Sequence, residues 1–187
     1  MLIVMAFAYV MLVAFHTVQF SWLAALLGAL LFGVSEYTTH RFLLHAKPSA
    51  NAGYLAFQRR MHYDHHVTPE RLDLLFLPWW FVLPLAALFF AVYFAITRSV
   101  DIAGAMIFGS LLGTLDYEWV HFVAHVPYKP RTRWGRYMKK YHLWHHFKNE
   151  HLWFGVTNPA IDHLVRTYVR VDEADRSDSV RELYPNA

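Results

Sequence analysis

Residues 102–125 read IAGAMIFGSLLGTLDYEWVHFVAH. An apolar run, residues 102–120, is close to the ~20 residues that a helix needs to cross a hydrocarbon core. It leads directly into His121 and His125, whose i, i+4 spacing puts both imidazoles on one helical face. Imidazole is the commonest biological ligand for iron, zinc and copper. A membrane-length helix that delivers two imidazoles at its end therefore suggests a metal site at the edge of a bilayer.

The arrangement recurs along the chain. His40 and His45 lie in HRFLLH, His62, His65 and His66 in HYDHH, and His142, His145 and His146 in HLWHH. Ten of the thirteen histidines thus fall into four clusters, each at or just beyond the end of an apolar segment. One ion has no use for ten imidazoles, whereas two ions sharing them suit a pair of five- or six-coordinate metals. In the two H-x-x-H-H triads the offsets are i, i+3 and i+4, which share a helical face. Adjacent members diverge by about 100° around the axis, so neighbours can serve different ions. His40 and His45 are i, i+5, about 140° apart on a regular helix, and need the helix to unwind or bend. A lone histidine is ordinarily a solvated or hydrogen-bonded residue, but four clusters at ligand spacing leave that reading little room.

Composition agrees with a membrane setting. Of 187 residues, 56% are hydrophobic and only 17% charged, with the apolar residues concentrated in runs. The absence of cysteine excludes disulfides, thiolate ligands and cysteine nucleophiles. The net charge of +3 is not distributed as a nucleic-acid surface would be, and no nucleic-acid partner is expected. Residues 2–20 and 22–35, the latter extending toward His45, predict a first helical hairpin; residues 77–97 and 102–120 predict a second. Residues 19–21 and 98–101 supply the tight connections. The N-terminus lacks the basic region and cleavage site of a signal peptide, so the first segment is expected to be retained. Lysine and arginine number five between Arg41 and Arg71 and eleven between Lys129 and Arg181, against Arg98 alone on the other side. That asymmetry predicts a multi-pass protein with both termini and all histidine clusters in the cytoplasm.

Carboxylates accompany the clusters. Glu36 lies one turn before His40, and Asp116 and Glu118 precede His121. Ionisable groups at such depth are expected to face the protein interior. Glu118, three residues before His121, is placed to orient that imidazole from behind. Asp64 and Asp162 are candidates for the same role, with a simple polar contact between helices as the plain alternative for Glu36 and Asp116. His16, His151 and His163 stand outside the clusters and are not expected as ligands. Trp153 and Phe154, and with less support His151, are candidates for lining a substrate site. Trp79 and Trp80 read as an interfacial aromatic belt.

The motifs EYTTHRFLLH (Glu36 to His45), MHYDHH, EWVHFVAH and YHLWHHF, followed by FGVTNPAID (Phe154 to Asp162), resemble those of the fatty acid hydroxylase and sterol desaturase superfamily. They are most similar to fatty acid 2-hydroxylases, over about residues 30–168. The resemblance implies an all-α integral membrane protein of about four transmembrane helices in two hairpins, with a cytoplasmic helical cap holding a histidine-rich dimetal site. Its parts would be a first hairpin (1–45), a cap segment (46–76), a second hairpin (77–125), further cap (126–171) and a flexible tail (172–187). It implies two iron ions, with zinc a competitor for nitrogen sites. One ion would take His40, His45, His62, His65 and His145, and the other His66, His121, His125, His142 and His146. The expected reaction is hydroxylation of an acyl lipid, a fatty acid or ceramide-like molecule, at the 2-position with O2 and two electrons. Many relatives carry a fused haem domain; here a separate haem or iron–sulfur donor protein is expected. A carotenoid or sterol-type hydroxylase or desaturase shares the motifs. A non-catalytic metal-binding or transport protein is the alternative of another class, although transport would want ligands along a path through the bilayer.

Overall fold

The computed structural model describes residues 20–180 and Leu183. The first expected span, apart from Phe20, and His16 lie outside these residues. Helix α1 (Trp22–Thr38) passes into a π-helical turn, Thr39–Leu44. Helix α2 (Ala52–Gln58) passes into a second π-helical turn, Arg59–Tyr63, and on into α3 (Asp64–Val67). Then follow α4 (Leu72–Leu75), α5 (Trp79–Thr97), α6 (Val100–His125), α7 (Arg133–Phe147) and α8 (Ala160–Leu164). No strand occurs among the described residues. Three stretches, Trp22–Leu44, Leu72–Thr97 and Val100–His125, are long and apolar enough to cross a membrane. They correspond to the second, third and fourth expected spans.

The chain divides into two compact units, residues 1–34 with 77–116 and residues 35–76 with 117–187. In the first unit, small residues bring two helices to backbone contact. A Cβ on Gly28 would lie 1.9 Å from the Met106 carbonyl oxygen, and one on Gly109 would lie 1.8 Å from that of Ala25. Ser110 Oγ donates to the Gly28 carbonyl at 3.0 Å, and the Tyr93 hydroxyl lies 3.0 Å from the same Oγ. Around this crossing pack Ala24, Tyr93, Ala103, Ala105, Met106, Ile107 and Leu111. Close van der Waals packing with an interhelical hydrogen bond is what holds helices together where lipid is as apolar as leucine. The outer faces are apolar too: Trp22, Leu23, Leu30, Leu88 and Ile96 are exposed. Helix α5 ends at Arg98 in the left-handed conformation (φ 53°), its N–H bonded to the Phe94 carbonyl at 2.8 Å. Ser99 alone then separates Arg98 from α6, the tight connection expected.

The second unit contains all ten clustered histidines. Helix α7 shows why its sequence folds as it does. Met138, Tyr141, His142, His145 and His146 are buried at i, i+3, i+4, i+7 and i+8, one continuous face of a 3.6-residue helix. Thr132 caps its start by accepting from the Gly135 N–H at 3.0 Å. Met138, Tyr141 and Trp153 centre an aromatic core that also takes in Val120, Tyr137, Trp144, Leu152, Tyr168, Val171 and Ala174. Lys139 Nζ donates to the carbonyls of Val123, Val126 and Tyr128, satisfying acceptors left over at the end of α6. Residues 172–180, expected as a flexible tail, are docked: the Ser177 N–H donates to the Lys148 carbonyl at 2.8 Å, and Val180 is buried.

Candidate metal centre

The ten histidines gather into two groups of five. His40, His45, His62, His66 and His145 form one; His65, His121, His125, His142 and His146 form the other. Within each, one ring nitrogen from every residue lies within 4.8 Å of the rest. Both groups follow a single rule. The i, i+4 pair of each triad stays together (His62 with His66, His142 with His146), and the middle histidine crosses to the opposite group (His65 and His145). The grouping coincides with the expected partition for eight residues and exchanges His65 and His66. The reason is angular: on a helix the i+4 residue is rotated about 40° from residue i and the i+3 residue about 60° the other way. The i, i+5 pair is reconciled by the π-helical turn at 39–44. There the His45 N–H bonds to the His40 carbonyl at 3.1 Å, so that five residues complete one turn.

Backbone carbonyls fix the tautomers. His40 Nδ1 lies 2.5 Å from the Phe154 carbonyl oxygen, His145 Nδ1 2.8 Å from that of Leu152, and His66 Nδ1 3.1 Å from that of Val180. In the second group His121 Nδ1 lies 3.0 Å from the Leu75 carbonyl oxygen. A carbonyl only accepts, so each Nδ1 carries the proton and each Nε2 presents a bare lone pair inward. Those Nε2 atoms nevertheless approach one another closely. His62 Nε2 lies 3.1, 2.7 and 3.0 Å from the Nε2 atoms of His40, His45 and His66. His145 to His45 is 3.0 Å, and both His65 to His121 and His125 to His142 are 2.9 Å. One imidazole proton cannot satisfy three lone pairs.

Additional protons are opposed by the surroundings. Burial, reinforced by neighbouring imidazoles, holds His45, His62, His142 and His146 well below the ordinary histidine range, and burial brings His66 down to about 3. A metal cation is the species that fits converging neutral lone pairs. With metal–nitrogen bonds of about 2.1 Å, ligands at right angles stand about 3.0 Å apart and tetrahedral ligands about 3.4 Å. The observed 2.7–3.1 Å matches the former, the edge of a five- or six-coordinate ion. The groups adjoin at His66 and His146, whose rings stack 4.1 Å apart at 21°.

Glu36 and Asp162 clamp the loop that meets His40. Glu36 Oε1 accepts from the Val156 and Thr157 N–H groups at 2.6 and 3.1 Å, and its Oε2 from the Thr157 hydroxyl at 2.6 Å. Asp162 accepts from the N–H groups of Phe154 at 2.8 Å and Gly155 at 2.7 Å, and from the Thr167 hydroxyl at 2.7 Å. Gly155 is required there, since a Cβ would lie 2.1 Å from the Asn158 carbonyl oxygen. The clamped loop presents the Phe154 carbonyl to His40. At His121 the Nδ1 partner is the Leu75 carbonyl, and Glu118, the expected orienting residue, is buried. Asp64 pairs with Arg59 at 3.1 Å. Asp116, expected to face inward, is exposed, because five residues of α helix turn it about 140° from His121.

Of the residues expected to line a substrate site, Phe154 has its ring 5.3–5.7 Å from those of His40, His45 and His145. Trp153 is wholly buried in the aromatic core, its indole N–H donating to the Val169 carbonyl at 2.9 Å. His151 is exposed beside Glu150, and His163 stacks on Tyr168. Unanticipated was the buried pair Gln58 and Tyr63, which grips the loop after His45: Gln58 Oε1 accepts from the Ser49 N–H at 2.9 Å, and its amide donates to the Lys47 carbonyl at 3.1 Å. The Tyr63 hydroxyl donates to the Ala46 carbonyl. A glutamine closing the apolar stretch 54–57 ahead of the second motif was the one signal for it.

The family model described as fatty acid hydroxylase matches residues 25–167. The chain is similar to fatty acid 2-hydroxylase of Rattus norvegicus, 32% identical over 153 residues that cover 80% of this chain and 40% of the rat protein. It is similar to the ceramide very long chain fatty acid hydroxylase SCS7 of Saccharomyces cerevisiae, 35% identical over 148 residues, covering 78% of this chain and 38% of the yeast protein. Dihydroceramide fatty acyl 2-hydroxylase FAH2 of Arabidopsis thaliana is 31% identical over 145 residues, 75% of this chain and 58% of that protein. Among solved structures, full-length scs7p, in which only the hydroxylase domain is visible, superposes with a TM-score of 0.79 at 31% identity over 90% of this chain and 64% of that one. The chain thus spans about two fifths of the length of the rat and yeast relatives.

Proposed function

Because the chain belongs to the fatty acid hydroxylase family, we propose that it is an O2-dependent dimetal lipid hydroxylase that places a hydroxyl on the 2-carbon of a fatty acyl chain, free or in a ceramide-like lipid. The observation that carries this reading is the pair of five-imidazole groups with inward lone pairs at cation-edge spacing. His40, His45, His62, His66 and His145 would hold one iron, and His65, His121, His125, His142 and His146 the other, with zinc able to compete for the same nitrogens. The bound irons would supply the oxidising power that side chains lack for an unactivated C–H bond.

The protein's own residues do the remaining work. The carbonyls of Phe154, Leu152, Val180 and Leu75 hold their imidazoles in one tautomer and orientation. Glu36 and Asp162 anchor the loop bearing the first two of these carbonyls at its Phe154 end. The Phe154 ring provides an apolar wall against the first group, suited to a hydrocarbon chain. Imidazole and carboxylate groups have no electrons to donate, so the two electrons must be supplied by a redox carrier such as a haem or iron–sulfur centre. Lysine and arginine asymmetry supports a cytoplasmic position for the histidines, in a cap built from residues 46–76 and 126–171.

Expression in a lipid-producing host lacking related oxygenases, with a reductase system, followed by lipid mass spectrometry, tests the proposal. Acyl species heavier by one oxygen, hydroxylated beside the carbonyl and absent in a His145→Ala variant, are expected. Loss of two hydrogens instead would make the enzyme a desaturase, and hydroxylation that survives His145→Ala would overturn the assigned centre.

A further inference from the structure

The C-terminal segment reaches the metal centre through a buried carboxylate outside every histidine motif. Glu150 is fully buried, and its Oε1 accepts from the Ser179 hydroxyl at 2.6 Å and the Ser177 hydroxyl at 2.9 Å. The same stretch is tied twice more to the residues after α7. The Ser177 N–H donates to the Lys148 carbonyl at 2.8 Å, and the Asn149 side-chain amide donates to the Asp175 carbonyl at 3.1 Å. Lys148 Nζ donates to the Val171 carbonyl. These contacts converge on Val180, which is 3% exposed and whose carbonyl oxygen lies 3.1 Å from His66 Nδ1.

A buried carboxylate is costly unless it is hydrogen-bonded, so the two short hydroxyl bonds at Oε1, the Glu150 oxygen that has partners, define where the serines stand. The chain from Ser179 to Val180 is a single peptide link, and fixing the serine leaves the next carbonyl little freedom. His66 is also the ring that stacks on His146 of the other group. That stack is a packing contact, and only its own group would coordinate through His66.

We propose that Glu150, acting through Ser177 and Ser179, is a positioning residue for His66. It docks the C-terminal segment so that the Val180 carbonyl accepts the His66 Nδ1 proton and aims the Nε2 lone pair at the first ion. This inference rests on the dimetal reading of the two histidine groups. Partners that orient a metal-bound imidazole from behind are typically worth 10–100-fold in metal affinity.

The test uses the full chain loaded with 57Fe, comparing wild type with Glu150→Ala, Glu150→Gln and Ser177→Ala/Ser179→Ala. In Glu150→Ala and in the serine pair, one of the two iron Mössbauer signals shifts and one equivalent of iron is lost to a chelator about 10-fold faster or more. Glu150→Gln, which keeps an acceptor oxygen for the serines, restores most of the wild-type signal. Limited proteolysis shows residues 172–180 released in the alanine variants alone. If Glu150→Ala does not fold, Ser179→Ala, made at an exposed residue, carries the same expectation. Released segments with both iron signals unchanged would overturn the inference, as would equal disturbance of both irons. A wild-type chain holding fewer than two irons would instead refute the dimetal reading itself.

Discussion

Replacing Asp162 with asparagine isolates the role of the loop clamp, because the side chain keeps its size and loses one acceptor. Asp162 is wholly buried and accepts three hydrogen bonds, two at Oδ1 from the Phe154 N–H and the Thr167 hydroxyl and one at Oδ2 from the Gly155 N–H. In either amide orientation the new NH2 faces an N–H, leaving two donors opposed in a buried site. Hydrogen bonds to a charged group contribute about 1.5–3 kcal/mol each, and the remaining bonds become neutral and weaker. The loop should lose about 2–4 kcal/mol, which lowers the unfolding midpoint by roughly 5–15 °C for a chain of this size. The Phe154 carbonyl would then no longer be held against His40, and the first ion should bind about 10–100-fold more weakly. Thermal unfolding in detergent, metal content after chelator challenge and lipid hydroxylation by the reconstituted protein measure the three effects. Gly155→Ala should give the same pattern by a different route, since its Cβ would lie 2.1 Å from the Asn158 carbonyl oxygen and 2.9 Å from Asp162 Oδ2. An Asp162→Asn protein with the wild-type midpoint and two retained ions would refute the clamp.

The exchange of His65 and His66 is testable with single alanines: His65→Ala should weaken the same ion as His121→Ala, and His66→Ala the same ion as His40→Ala, as read by which Mössbauer signal changes. The reverse pairing would restore the assignment expected from family resemblance. In the membrane unit, Gly28→Ala should destabilise by about 1–3 kcal/mol, because its Cβ meets backbone that no rotamer change can move. Gly33→Ala, with open space around the new methyl group, should be neutral or slightly stabilising, and equal behaviour of the two in thermal unfolding would contradict the crossing. Metal-free protein should lose stability as pH falls below 6.5. There the unfolded histidines take up protons while His62, His66 and His146 remain neutral, so the unfolded state binds more protons. The loss is bounded at about 1.4 kcal/mol per pH unit for each such imidazole, and continues toward pH 3 for His66. Denaturant midpoints unchanged between pH 7.5 and 5.5 would show that the rings are not held neutral.

The properties legible in the sequence were local ones. Hydropathy is a sum over neighbouring residues, so the spans read at 22–35, 77–97 and 102–120 could be found without a fold, and the helices at 22–44, 72–97 and 100–125 contain them. Ligand type is carried by each side chain, so ten histidines stood out from His151 and His163; helical angle allowed adjacent histidines to serve different ions, and the family resemblance implied the split of His145 from His146. Other features depended on partners distant in the chain. His65 and His66 are adjacent, and only the placement of α6 and of the turn at 39–44 decides which group each joins. The atoms that orient the ligands are backbone carbonyls of Leu75, Leu152, Phe154 and Val180, and a carbonyl has no residue identity by which a sequence could reveal it. Glu36 and Asp162 were visible as carboxylates near the motifs, but their partners are N–H groups of a loop that exists only in three dimensions. Residues 172–180 lack apolar periodicity and read as a tail; their docking rests on Glu150, a single charge whose burial no local pattern announces. Composition and spacing thus pointed to a candidate metal site at the end of membrane-length helices. Tertiary structure decided how the histidines are divided and held, because tautomer, orientation and burial are set by contacts between residues more than 100 positions apart.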